Sequence, residues 1–176
     1  VVQGAAMGLG LPLICDRVDV PALARATKIN LEEAARLVRR EFLTRAAREV
    51  GAGKIALGHT RTDVAETVLL HLLRGAGPRG LRGILPSTPP YIRPLILLSR
   101  EETRSFCARE GIPFRDDPTN EDRSLLRNAI RHDVLPILSR RNPRAEEALA
   151  RAAGLLAEAE EALAWAADLA HAEASR

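Results

Sequence analysis

The sequence predicts an α/β fold: a parallel sheet flanked by helices, followed by a helical extension. Two observations point there. Short apolar runs that read as strands alternate with segments of helical period over residues 11–74, and strand–helix–strand–helix order favours a parallel layer structure. Beyond Pro143 the chain turns alanine-rich, with 14 alanines in residues 145–174, and reads as one long helix.

Leu11 to Val18 is a short apolar run after Gly8 and Gly10, and reads as a buried strand. Asn30 then caps a helix whose apolar positions (Leu31, Ala34, Ala35, Val38, Phe42) recur at helical spacing until Gly51 and Gly53 stop it. Lys54 to Gly58 reads as a second buried strand. A helix follows from about Thr62 to Arg74 and ends at Gly75. Residues 75–90 are rich in glycine and proline and must be loop or turn. Tyr91 to Leu98 reads as a short extended run interrupted by Pro94. Ser99 is placed to cap a helix with Glu102 completing a capping box, and Gly111 ends it. A loop from Pro113 to Asn120 precedes an arginine-bearing helix, with Pro136 near its end.

Composition bounds the function classes. Of 176 residues 46% are hydrophobic and 28% charged, enough to fill a core and to exclude wholesale disorder. No apolar run approaches the roughly 20 residues of a membrane helix, and no signal-peptide pattern opens the chain, so a soluble cytoplasmic protein with no membrane partner is expected. Val1 stands where an initiator methionine would be, so a longer parent protein is expected. Cys15 and Cys107 are too few and too far apart for a disulfide framework or a cluster ligand set. The net charge of +3 is unevenly placed: residues 123–144 carry +5 and residues 145–176 carry −5. A basic segment beside an acidic one suggests a local anion-binding surface.

Three constellations carry candidate chemistry. In Gly58-His59-x-x-x-Asp63-x-x-Glu66-Thr67, helical geometry places His59, Asp63 and Glu66 within about 60° of one another, opposite Ala65, Val68 and Leu72. That face lies at the C-terminal end of an expected strand, where open parallel sheets bind ligands. Two carboxylates with an imidazole suit a magnesium ion, a basic substrate group or a proton acceptor; a solvated, capped helix face is the other reading. Next, Arg74-Gly75-x-Gly77-x-x-Gly80-Leu81-x-Gly83 lets backbone amides approach a phosphate, or is simply a flexible loop. Last come Asp117-Pro118-Thr119-Asn120 and Arg127-Asn128-x-x-Arg131-His132. The two arginines, four residues apart, share a face that could clamp a phosphate, or pair locally with Asp122 or Asp133.

In this order the three patterns resemble the tRNA(Ile)-lysidine synthetase family. The series begins with Ala35-Arg36-x-x-Arg39-Arg40 and includes Arg93-Pro94-Leu95, so the likeness spans about residues 30–136. The resemblance implies the adenine nucleotide α-hydrolase-like fold of the N-type ATP pyrophosphatases. It implies an enzyme that uses ATP and magnesium to join free L-lysine to carbon 2 of the anticodon cytidine of a tRNA(Ile) with a CAU anticodon. An adenylated tRNA is the intermediate and lysidine the product. By the same resemblance Asp63, Glu66 and His59 would be catalytic, with Asp63 and Glu66 also able to hold magnesium. Arg36, His59, Arg74, Gly75 and Gly77 would meet ATP or the adenylate. Arg93, Asn120, Arg127, Asn128 and Arg131 would meet phosphate or tRNA.

The family's Ser-Gly-Gly-x-Asp-Ser phosphate loop does not occur in these 176 residues, and Arg40 stands where the family usually has tyrosine. The chain on its own is therefore expected to be inactive. Residues 1–140 would be the remainder of the nucleotide-binding domain, and 141–176 a helical linker or the start of a tRNA-binding region. Two alternatives stay open: a tRNA cytidine thiolation enzyme of the same superfamily, and a non-catalytic tRNA-binding scaffold. The oligomeric state is open too, a homodimer included.

Overall fold

In this computed structural model residues 1–174 are described. Helices α1 (Val2–Gly8), α2 (Val20–Thr27) and α3 (Leu31–Glu49) come first, then strand β1 (Ile55–Ala56), helices α4 (Arg61–Leu73) and α5 (Pro78–Leu81), and strands β2 (Ser87–Thr88) and β3 (Tyr91–Ile92). Helix α6 (Arg100–Arg109) leads to a 3-10 turn (Pro118–Glu121), α7 (Leu126–Ala129), a π segment (Ile130–Val134), α8 (Leu135–Arg141) and α9 (Ala145–Ala174). The chain divides into two compact units, Val1–Ala56 with Pro89–Ile92, and Leu57–Thr88 with Arg93–Arg176.

In the first unit local capping sets the helices. Asp19 accepts the Ala22 N–H (2.9 Å) to start α2, and Asn30 accepts the Glu33 N–H (2.8 Å) to start α3. Gly51, at φ 68°, takes the left-handed turn that ends α3. Strand β1 pairs in parallel with β3, Ile55 opposite Tyr91 and Ala56 opposite Ile92. The expected parallel pairing is present, but with two-residue strands the sheet is far smaller than the sequence suggests. The expected strand over Leu11–Val18 does not form. Those residues are open coil between α1 and α2, with Leu11 58% and Val18 45% exposed. An apolar run becomes a strand only where another strand completes its ladder, and among the described residues none pairs with this run.

The second unit is built on α4, α9 and the α7–α8 helix. Val64, Val68, Ile96 and Ala153 form one apolar cluster, joined by Ile84, Leu149 and Ala150. Ala65, Ile130 and Leu135 form a second, joined by Leu69, Leu70 and Leu149. Leu72, expected on the buried side of α4, is 57% exposed. Ser99 and Glu102 form the expected reciprocal cap of α6. Pro136 falls near the end of the arginine helix as expected, and the helix continues past it to Arg141. A proline lacks an N–H and collides with the carbonyl four residues before it; here the wider π segment immediately precedes it and takes up the misfit. Tyr91–Leu98 is extended only over Tyr91–Ile92, and turns follow Pro94. The first half of α9 is packed, as far as Glu160; Leu163, Trp165 and Leu169 are exposed beyond it.

A candidate carboxylate–arginine active site

Helix α4 starts by spending part of Asp63. Its Oδ2 accepts both the N–H and the hydroxyl of Thr60, each at 2.8 Å, closing the helix N-terminus. The other oxygen, Oδ1, receives Arg127 Nη2 at 3.0 Å and faces Arg100 Nη2 at 3.9 Å. One turn on, Glu66 has no exposed surface at all. A buried carboxylate is costly unless charged donors meet it, and both oxygens are met. Oε1 accepts Arg131 Nε at 2.5 Å, while Oε2 accepts Arg127 Nε at 2.8 Å and Arg131 Nη2 at 2.9 Å.

The arginines are themselves held. Arg131 Nη1 donates to Asn120 Oδ1 at 3.1 Å. Asn120 stays in reach because Asn128 Nδ2 donates to the Thr119 and Asp122 carbonyls at 2.9 Å each, and His132 Nε2 donates to the Asn120 carbonyl at 3.0 Å. The Asp117–Asp122 turn is thus fastened to the arginine helix by groups one helical turn apart. Asp63 titrates below the usual carboxylate value: burial pushes it up, but the Thr60 hydrogen bonds and the Arg127 and Arg100 charges outweigh that. Arg131 holds its proton more tightly than usual; burial acts against this, and the Glu66 hydrogen bonds and charge prevail.

The sequence offers Asp63 with Glu66 and Arg127 with Arg131 as separate constellations, and the structure joins them. Neither arginine pairs with Asp122 or Asp133. Asp133 takes Arg123 at 2.8 Å, and Asp122 accepts from Ser124. His59 does not share the α4 face, because the helix begins at Arg61 and His59 precedes its cap residue. The solvated-face reading fails for Glu66. Magnesium does not fit Asp63 and Glu66 as they stand, since all four oxygens accept protein donors and three guanidiniums crowd the pair. No group of three or more acidic, histidine or cysteine side chains among the described residues is placed to hold a metal.

The glycine loop is less open than its composition suggests. Gly75 (φ 72°) ends α4 and Gly77 begins α5. His71 Nδ1 lies 2.6 Å from the Gly80 carbonyl, and a Cβ at Gly80 would come within 2.7 Å of Ala76 Cβ. Arg74 is exposed beside it. Arg93 is turned to its own loop, donating to the Leu85 carbonyl at 2.7 Å and Thr88 Oγ1 at 3.1 Å. Arg36, in the first unit, is exposed and faces Glu33 at 3.9 Å. Sequence reasoning missed Arg100 and the buried Thr62, whose hydroxyl donates to Glu146 Oε2 (2.8 Å) and accepts the Arg100 N–H (3.0 Å). No local spacing links residues 62, 100 and 146.

Comparison with known proteins gives the family of the chain. The family model of the PP-loop domain matches residues 1–138. The chain belongs to the PP-loop domain family. Membership implies ATP use. The chain is 43% identical over 141 residues to a tRNA(Ile)-lysidine synthase of Thermotoga sp. (strain RQ2), covering 80% of this chain and 34% of that protein. It is 46% identical over 163 residues to a tRNA(Ile)-lysidine synthase of Thermus thermophilus, covering 90% and 31%. With that of Leifsonia xyli it shares 44% over 162 residues, covering 92% and 47%. The chain thus spans between about a third and a half of the length of these curated relatives. Among solved structures, the U34-tRNA thiolase NcsA from Methanococcus maripaludis matches with a TM-score of 0.57 at 21% identity, over 70% of this chain and 43% of that one. That likeness is one of fold. No helix among the described residues is long and apolar enough to cross a membrane.

Proposed function

We propose that this chain supplies the lysine-transfer site of a tRNA(Ile)-lysidine synthase. The observation that carries the reading is the pair of carboxylates, Asp63 and Glu66, bracketed by Arg127 and Arg131 from a helix more than 60 residues away. Identity of 41–46% to curated lysidine synthases supports it. ATP adenylates the cytidine oxygen at carbon 2, releasing pyrophosphate. The lysine ε-nitrogen then forms its bond to carbon 2 as the carbon–oxygen bond breaks and AMP leaves with that oxygen. Before attack the ammonium must give up a proton.

Asp63, held ionised by its donors, anchors the ammonium, which leaves proton removal to Glu66 or His59. Arg127 donates to both carboxylates yet keeps Nη1 unbonded among the described residues, so it is the arginine that meets an incoming phosphate. Its transfer to that phosphate frees Asp63 Oδ1, which keeps only the long Arg100 pair, while Arg131 still holds Glu66. Arg131 keeps Glu66 in place, and Asn120 and Asn128 position Arg131. Arg74, Gly75 and Gly77 are assigned to the nucleotide side by resemblance to the family. Magnesium enters as the ion carried by the phosphates of ATP. The thiolation alternative gains nothing from this chain's residues, whose cysteines are Cys15 and Cys107 alone.

The test is lysine incorporation into a CAU-anticodon tRNA(Ile) transcript, with AMP release, by the gene product that carries this chain. Asp63→Asn and Glu66→Gln should each slow transfer by about 10²–10⁴-fold, the range for loss of an acid–base group. No lysine-dependent AMP release from the wild type, or wild-type rates in both variants, overturns the reading.

A further inference from the structure

Arg100 is the least satisfied cation of the site. Its backbone is fixed, since its N–H donates to the buried Thr62 hydroxyl at 3.0 Å. Its guanidinium donates no hydrogen bond among the described residues and makes one long ion pair, 3.9 Å from Asp63 Oδ1. Arg127 takes that same oxygen at 3.0 Å. Three guanidiniums (Arg100, Arg127, Arg131) therefore face two carboxylates, and the unspent charge falls on Arg100. Burial, and then the Arg131 and Arg104 charges, disfavour its charged form more than Asp63 and Glu66 support it. The side chain is 34% exposed, so its donors reach solvent.

Two adjoining depressions share Arg100 and Arg104, one of about 290 Å³ and one of about 260 Å³. Acids line them as well, but most are committed. Glu146 accepts the Thr62 hydroxyl, Asp116 pairs with Arg104, and Asp117 accepts from Thr119. Glu101 lines the larger one and is exposed to solvent. A guanidinium with five donors and no acceptor is suited to a bidentate phosphate.

We propose that Arg100 is a phosphate-binding residue, engaging either a phosphodiester of the tRNA backbone or a phosphate of the nucleotide. The proposal rests on the lysidine-synthase reading for the identity of those ligands. Arg100→Gln and Arg100→Lys are made in the gene product carrying this chain. Affinity for a CAU-anticodon tRNA transcript is measured at several salt concentrations, affinity for ATP separately, and folding by thermal melting. Arg100→Gln should weaken one ligand by about ten- to a hundredfold, as expected for losing hydrogen bonds to a charged group. A tRNA contact also flattens the log–log salt dependence by about one unit and spares ATP; a nucleotide contact weakens ATP and spares that slope. Arg100→Lys keeps the charge, so it should restore the slope or part of the ATP affinity.

Unchanged affinities and slope in folded Arg100→Gln overturn the proposal, as does a wild type that binds neither ligand. If Arg100→Gln does not fold, Arg100→Lys decides alone: full wild-type affinity for both ligands overturns the proposal, because an ammonium cannot replace a bidentate fork. A wild type that binds both ligands but never incorporates lysine sinks the lysidine reading instead, and leaves the Arg100 measurement standing.

Discussion

Two helices of this chain carry arginines four residues apart, and the pairs behave in opposite ways. On α3, Arg36 faces Glu33 at 3.9 Å across its own helix and Arg40 lies 5.9 Å from the centre of the Tyr91 ring, with Arg36 77% exposed. On the α7–α8 helix, Arg127 and Arg131 leave their own helix and close on Asp63 and Glu66, the latter without exposed surface. The spacing is the same; the surroundings differ. A guanidinium in water gains little from a nearby carboxylate, whereas one beside a buried carboxylate supplies the charge that makes burial tolerable. What an arginine pair does is thus decided by the solvent exposure of its partner.

Arg131→Met should break the comparison hardest. It removes three of the hydrogen bonds around the site and leaves Glu66 with Arg127 alone. A loss of about 3 kcal/mol is expected, the lower end for breaking a buried pair because Arg127 remains, and urea unfolding would measure it. A loss near zero would mean that Glu66 is as tolerant as a surface acid.

Acid unfolding sharpens the contrast at intermediate size. Asp63 is held below its ordinary value of 3.8, so in the folded protein it binds its proton less readily than in the unfolded chain. Its contribution is therefore complete above about pH 4 and disappears as pH falls through the lower folded value. Asp63→Asn should be less stable than wild type near pH 6 and should lose less stability between about pH 4 and 2, so that the two curves converge. Parallel curves would deny Asp63 its charged partners.

Arg36→Ala should do least. An exposed pair at 3.9 Å contributes little, so a melting-temperature change under about 2 °C is expected. A larger change would erase the distinction between the two helices.

The same contrast explains what was legible in the sequence. Caps and stops were, because they act over three or four residues: Asn30, Ser99 with Glu102, and the left-handed glycines 51 and 111 all stand where spacing put them. The site residues Asp63, Glu66, Arg127 and Arg131 were visible as chemistry, yet not as partners. Local spacing offered Asp122 and Asp133, while the actual partners lie 61 to 65 residues away. Arg100 went unnoticed because nothing in its own neighbourhood distinguishes it. The Leu11–Val18 strand misled for a related reason: a ladder requires a second strand that the run itself does not encode.

The π segment Ile130–Val134 lies between Arg127 and the buried Leu135, with Arg131 inside it. Removing one residue from it would leave a chemically ordinary helix. An α turn takes one residue fewer than the π turn it replaces, so Arg127 and Leu135 would keep nearly their present facing. The proline would not be so easily served: without the wider turn, Pro136 meets the carbonyl four residues before it. This stretch can therefore drift in composition through descent, but its extra residue and its proline are inherited together: a single-codon deletion here is survivable only where the proline is lost as well.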